Sequence, residues 1–154
     1  MTTLHFTQNT SATPEQFLAA LTDFGPGRSQ IFPNSHDDQL TVHDRGPDWA
    51  DVTEGGGGAW ERLHYDWSDP RRIVMTTTDS NAWGDNSGHT YTLTPLPDGT
   101  TRVDATVVRD GKNFKGKFFA VLFKAAGKQV LGGAFHKTVQ AIDGRSNNQS
   151  GQTA

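Results

Sequence analysis

The chain has 154 residues, a net charge of −3 and only 33% hydrophobic residues, with 17 glycines and no cysteine. That length fits one domain with one core. Disulfides and thiolate metal sites are excluded, and the longest apolar run, residues 118–123, is far too short to span a bilayer. Charge is unevenly placed: residues 1–108 carry six Lys/Arg against fifteen Asp/Glu, a net of −9, and residues 109–145 carry eight against two, a net of +6. An acidic first two-thirds repels phosphate, so nucleic acid is not an expected partner.

The N-terminus, MTTLHFTQNT, lacks a basic region followed by an apolar run, so no signal peptide is expected and the reading is cytoplasmic. Residues 2–8 alternate, with Leu4 and Phe6 on one side of a first strand. Thr13-Pro14-Glu15-Gln16 then places an N-cap, a proline at the first helical position and a capping-box partner. The helix they start carries Phe17, Leu18 and Leu21 and ends at Asp23-Phe24-Gly25-Pro26-Gly27. A second short helix covers Arg28 to Ile31, with Pro33-Asn34 as its stop.

From residue 39 to 110 the pattern is strands and short turns: 39–44, 49–54, 59–67, 71–79, 88–95 and 101–109. Short connections favour an antiparallel meander. Alternation puts Leu63, Tyr65 and Trp67 on one face, with Ile73, Met75, Thr77 and Asp79, then His89, Tyr91 and Leu93, then Val103, Ala105 and Val107. These sets are assigned to the concave face. Gly55 to Gly58 lacks the helix and Lys-Ser/Thr of a phosphate loop and reads as a hairpin connection.

Residues 113–143 form the one stretch long enough for a major helix, and the sheet is expected to curve around it. At about 100° per residue, the apolar stripe of its first half centres on Phe114, Phe118, Leu122 and Ala125, and that of its second half on Leu131, Ala134, Thr138 and Ile142, roughly 140° away. A straight helix cannot aim both at one sheet, so a kink or break is expected between Gly127 and Gly133. Residues 144–154, GRSNNQSGQTA, are polar and small and are expected to be a disordered tail outside a single domain of residues 1–143.

The six histidines (His5, His36, His43, His64, His89 and His136) lack metal-ligand spacing, so neither a metal nor another cofactor is expected. No Gly-x-Ser-x-Gly elbow is present, and Ser80 reads as a turn residue. Asp79, at a concave strand end near His89 and Tyr91, is the candidate for polar or acid–base work. The alternative is a hydrogen-bonded rim. Residues 114–128, with Phe114 at the start and Lys128 at the end, interleave phenylalanines with Lys115, Lys117 and Lys124. Such a face suits peripheral membrane contact or packing on a sheet with lysines outward.

The segments TPEQFLAALTDF, IFPN, VHDRGPDWADVTEG, WERLHYDWSDP, TTTDSN and YTLTPLPDGTTRVD, with the Gly/Lys-rich helix, resemble the SRPBCC superfamily (START-like, or Bet-v-allergen-like) in its bacterial polyketide-cyclase-like branch. The resemblance implies an α+β helix-grip fold: a seven-stranded antiparallel sheet around a long C-terminal helix, with two small helices between strands 1 and 2. It also implies an apolar cavity for lipids, sterols, polyketides or similar hydrophobic molecules. The expected function is binding or transport of a hydrophobic small molecule or lipid. One alternative is a polyketide cyclase, aromatase or dehydratase using Asp79 and His89, and another is a membrane- or partner-docking module. The expected ligand-binding residues are Leu63, Tyr65, Trp67, Met75, Thr77, Asp79, His89, Tyr91, Leu93, Phe118 and Leu122.

Overall fold

The computed structural model describes residues 1–33 and 35–152, with side chains through residue 148. Strand β1 (Thr2–Thr10) is followed by α1 (Pro14–Leu21) and α2 (Arg28–Ile31), then by a 3-10 turn at Asp37–Gln39. Six strands come next: β2 (Thr41–Arg45), β3 (Trp49–Gly56), β4 (Ala59–Asp69), β5 (Arg72–Ser80), β6 (Gly88–Pro95) and β7 (Thr101–Arg109). The chain ends in α3 (Phe114–Gln152). Asn34, expected to help stop α2, lies outside the described residues.

All seven strands form one antiparallel sheet in the order β1-β7-β6-β5-β4-β3-β2. This is the helix-grip α+β architecture. The capping box forms as its residues dictate: Thr13 Oγ1 accepts from Gln16 N–H, and Gln16 Oε1 accepts from Thr13 N–H. Phe17 and Leu21 of α1 join Ile73, Leu93 and Val103 of the sheet and Val139 and Ile142 of α3 in one core, all fully or almost fully buried. Gly57 and Gly58, both at positive φ, make the two-residue turn of the β3–β4 hairpin.

The long helix departs from expectation in two respects. It is one uninterrupted helix, with no break between Gly127 and Gly133. It also continues through residues 144–152, where a disordered tail was expected; residues 153 and 154 lie outside the described residues. Nothing in that polar segment breaks a helix outright, and two anchors hold its start. Arg145 pairs with Asp23 at 2.9 Å, and Ser146 is buried.

The conflict between the two apolar stripes is settled by leaving the first one uncovered. The face of α3 turned inward carries Gly116, Phe119, Ala120, Phe123 and Gly127, then Leu131, Ala134, Phe135, Thr138 and Ile142. Small residues win this face because the backbones come close. Asn113 caps the helix, its Oδ1 accepting from Gly116 N–H at 2.8 Å. A Cβ at Gly116 would lie 1.9 Å from the carbonyl oxygen of Ala82, and one at Gly127 would touch Leu4 and Phe123. Gly116→Ala is therefore expected to destabilise the fold by about 1–3 kcal/mol, as overpacking does. Gly133→Ala, where a Cβ meets open space, is expected to stabilise by up to about 1 kcal/mol. Thermal melting of the two variants checks the pair.

Candidate functional site

Between the sheet and the second half of α3 lies a cavity of about 280 Å³. Its walls are Leu63, Met75, Tyr91, Ala105 and Val107 of the sheet, Phe6 of β1, Phe32 and Pro33 after α2, and Leu131, Ala134, Phe135 and Thr138 of α3. The lining is mostly apolar, but its floor is not. Glu54 and Glu61 are directly paired across β3 and β4. Two carboxylates at that register repel each other, and each is held by its own arginine.

On one side Arg28 donates from Nε to Glu54 Oε1 at 2.6 Å, from Nη1 to the carbonyls of Leu21 and Asp23 at 2.9 and 2.8 Å, and from Nη2 to the Tyr65 hydroxyl at 3.1 Å. Its side chain is 1% exposed and its guanidinium lies 4.6 and 4.4 Å from the ring centroids of Phe24 and Phe32. Tyr65 in turn donates to Glu54 Oε2. Burial first, then the Glu54 charge, pushes the Tyr65 hydroxyl well above its ordinary range, so it stays a donor.

On the other side Arg109 donates from Nη1 to both oxygens of Glu61, at 2.5 and 3.2 Å, and from Nη2 to His89 Nε2 at 2.9 Å, while Trp83 lies 5.0 Å from its guanidinium. Arginine can only donate, so His89 Nε2 must accept and the imidazole proton sits on Nδ1. Burial, and then the Arg109 charge, pushes His89 down to about 3, so the ring is neutral. Burial pushes the Glu61 carboxyl up, against the pull of Arg109. Burial also pushes the Tyr91 hydroxyl up to about 12. Ser35, another lining residue, is buried with a hydroxyl that has no hydrogen-bond partner among the described residues.

Of the residues expected at the site, Leu63, Tyr65, Met75, His89 and Tyr91 line the cavity. Thr77 is buried next to Glu61 without lining it, Leu93 belongs to the core, and Trp67 packs partly buried against the core. Three assignments need correction. Asp79 lies on the outer face, 59% exposed and 3.6 Å from Lys112. The cause is a bulge: Arg62 pairs with Asp79 but Leu63 pairs with Thr77, so Thr78 is an extra residue that reverses the alternation. Phe118 and Leu122 are exposed on the side of α3 away from the sheet, because the glycine-bearing face is the one that docks. Ser80 serves the loop: its Oγ accepts from the N–H groups of Ala82 and Trp83 and donates to the Trp60 carbonyl. Among the described residues no three His, Cys, Asp or Glu side chains gather as a metal would need.

Sequence reasoning missed Glu61 and Arg109, although both continue a parity already assigned: Glu61 is two before Leu63, and Arg109 two after Val107. Arg28 and Glu54 gave no such signal.

A seven-stranded antiparallel sheet, a long C-terminal helix and a partly open, mostly apolar cavity between them define a helix-grip fold of the hydrophobic-ligand-binding type. The chain belongs to the polyketide cyclase / dehydrase and lipid transport family, whose model matches residues 1–143. No curated relative matches it in sequence. Among solved structures it is similar to the Zhui aromatase/cyclase from a Streptomyces species, with a TM-score of 0.75 and 13% identity over 97% of this chain and 95% of that one. It is also similar to a Thermus thermophilus protein, TTHA0849, with a TM-score of 0.73 and 15% identity over 97% of this chain and 99% of the other. A START superfamily protein from Mycobacterium smegmatis aligns with a TM-score of 0.68 and 14% identity over 96% and 98%. At these identities the likeness is one of fold.

Proposed function

We propose that this chain binds and carries a small, uncharged, mostly apolar molecule bearing one or two oxygen atoms. The observation that carries this reading is the self-neutralised floor of the cavity. Arg28 and Arg109 balance Glu54 and Glu61, so an ionic ligand would enter without a counter-charge. Polar groups available to orient a neutral oxygen are the Nδ1–H of His89 and the hydroxyls of Tyr91 and Ser35. The volume, about 280 Å³, is at the lower edge of small-molecule sites, which run from roughly 300 to 1,000 Å³. It suits a short acyl chain or a small ring system. A ligand losing about 300 Å² of apolar surface gains roughly 7 kcal/mol before association costs, which points to micromolar affinity at best.

A carrier is favoured over a catalyst because the bases are engaged. His89 spends its lone pair on Arg109, and both carboxylates are bound to guanidinium groups. The second reading, a cyclase, aromatase or dehydratase, draws support from Glu61: its carboxyl lines the cavity and is pushed up by burial, in the direction a proton donor needs.

Native mass spectrometry of the full chain, with displacement of an environment-sensitive fluorescent probe, tests the proposal. Ala134→Phe, which adds a ring to the cavity wall, is expected to weaken probe binding at least tenfold while leaving the melting temperature within a few degrees. Unchanged probe affinity in that variant would sink the cavity reading. A co-purified molecule that is converted to a product of different mass on incubation would replace carrier with enzyme.

A further inference from the structure

The first half of α3 carries an apolar stripe that nothing in the fold covers. At about 100° per residue, Phe114, Phe118, Val121, Leu122 and Ala125 fall within one sector of roughly 100°, opposite Gly116, Phe119, Ala120, Phe123 and Gly127. The inner set is occupied: Phe119 and Phe123 pack 6.5 Å from Trp83, and Gly116 abuts Ala82. The outer set faces water, with Phe114 88% exposed and Val121 67% exposed. Lysines border the stripe on both sides, Lys117, Lys124 and Lys128 along one edge and Lys115 along the other. No acidic residue occurs between Asp110 and Asp143. Among the described residues Lys117, Lys124 and Lys128 make no ion pair.

We propose that this stripe is a membrane-docking surface, on which residues 114–128 lie flat in the interface of a bilayer containing anionic lipid. Bulky apolar side chains centred on one face, with basic residues on both flanks, match an interfacial helix. The charge decides between occupants. In a two-fold dimer the same patch meets itself, which would set Lys115, Lys117, Lys124 and Lys128 of one copy against those of the other, with no carboxylate between them. An anionic lipid surface supplies the missing counter-charge. The helix is long and apolar enough to cross a bilayer by composition, but spanning would strip Phe119 and Phe123 from Trp83 and bring Lys124 and Lys128 into hydrocarbon. Lying flat keeps the fold intact. The same helix roofs the cavity through Leu131, Ala134 and Phe135, so docking brings the roof to the lipid surface. The docking surface stands independently of what the cavity holds.

The test is co-sedimentation of the full chain with vesicles of phosphatidylcholine alone and of phosphatidylcholine mixed with phosphatidylserine. Binding is expected for the mixed vesicles only, and raised salt is expected to weaken it. Lys117→Gln and Lys124→Gln are each expected to reduce partitioning about fivefold. Phe118→Ser combined with Leu122→Ser is expected to reduce it at least tenfold with melting unchanged, since both side chains are exposed. Failure to bind either vesicle, or equal binding by the variants, would overturn the proposal. A doubled mass in light scattering that the Phe118→Ser/Leu122→Ser variant returns to a monomer would also overturn it, assigning the stripe to a second copy. Probe binding to the cavity is expected to survive these substitutions, so the two proposals fail separately.

Discussion

Replacing Arg28 with alanine is expected to remove about 3–5 kcal/mol of folding stability, a large share of the 5–15 kcal/mol that a typical domain holds. Three losses combine. Glu54 keeps its burial but loses its counter-ion, held at 2.6 Å. The carbonyls of Leu21 and Asp23, which end α1 and form the turn after it, lose their donor, and a buried carbonyl left unpaired costs about 1–3 kcal/mol. The aromatic pair Phe24 and Phe32 loses the cation packed against both rings. Arg28→Lys is expected to recover little of this, because an ammonium cannot serve Nε and both Nη positions at once. The double variant Arg28→Met/Glu54→Gln removes both charges and is expected to recover a good part of the loss. Urea denaturation checks the series. A loss under about 1 kcal/mol for Arg28→Ala would show that this network does little for the fold.

This network also marks what a sequence can and cannot disclose about such a protein. The sheet was legible because period-two alternation is strong in residues 59–109, and β6 and β7 fall where turn residues bound them. Seven of the cavity-lining strand residues, Leu63, Tyr65, Met75, His89, Tyr91, Ala105 and Val107, were legible for the same reason. Glu61 and Arg109 carry that parity too, but they were left out of the concave sets, because a charged residue points to solvent until its partner is known. Burial became intelligible only when each had its partner 48 positions away. Arg28 and Glu54 meet across 26 residues and no local rule links them. Asp79 was misplaced because a bulge costs one residue and leaves no composition signal. Phe118 and Leu122 were misplaced for a physical reason that reverses intuition. Apolar mass favoured their face of α3, but close backbone approach at Gly116 and side-chain packing of Leu4 against Gly127 mark the face that docks.

His89 should make the protein lose stability as acid is added, starting from about pH 6.5, and His89→Gln should flatten that loss. In the unfolded chain the imidazole takes a proton near 6.5. In the fold it takes one only near pH 3, because burial and the Arg109 charge oppose it. Between those values the unfolded state holds a proton that the fold lacks, so stability rises with pH through this window. The contribution is complete above about 6.5 and is lost as pH falls toward 3, at up to about 1.4 kcal/mol per unit. Two charged groups face the ring. Arg109, from β7, is the cation, 2.9 Å from the ring nitrogen. Glu61, from β4, has a carboxyl raised by burial. Its sign is opposite, with stability gained as pH falls through its folded value. The comparison of wild type with His89→Gln leaves Glu61 in both proteins and so isolates the histidine. Glutamine can still accept from Arg109 through its amide oxygen. Denaturant midpoints at intervals from pH 7 to about 4.5 are expected to show wild type losing on the order of 2 kcal/mol more than the variant. Equal slopes would mean that His89 takes its proton in the fold as readily as in the unfolded chain, and its lone pair would then not be committed to Arg109.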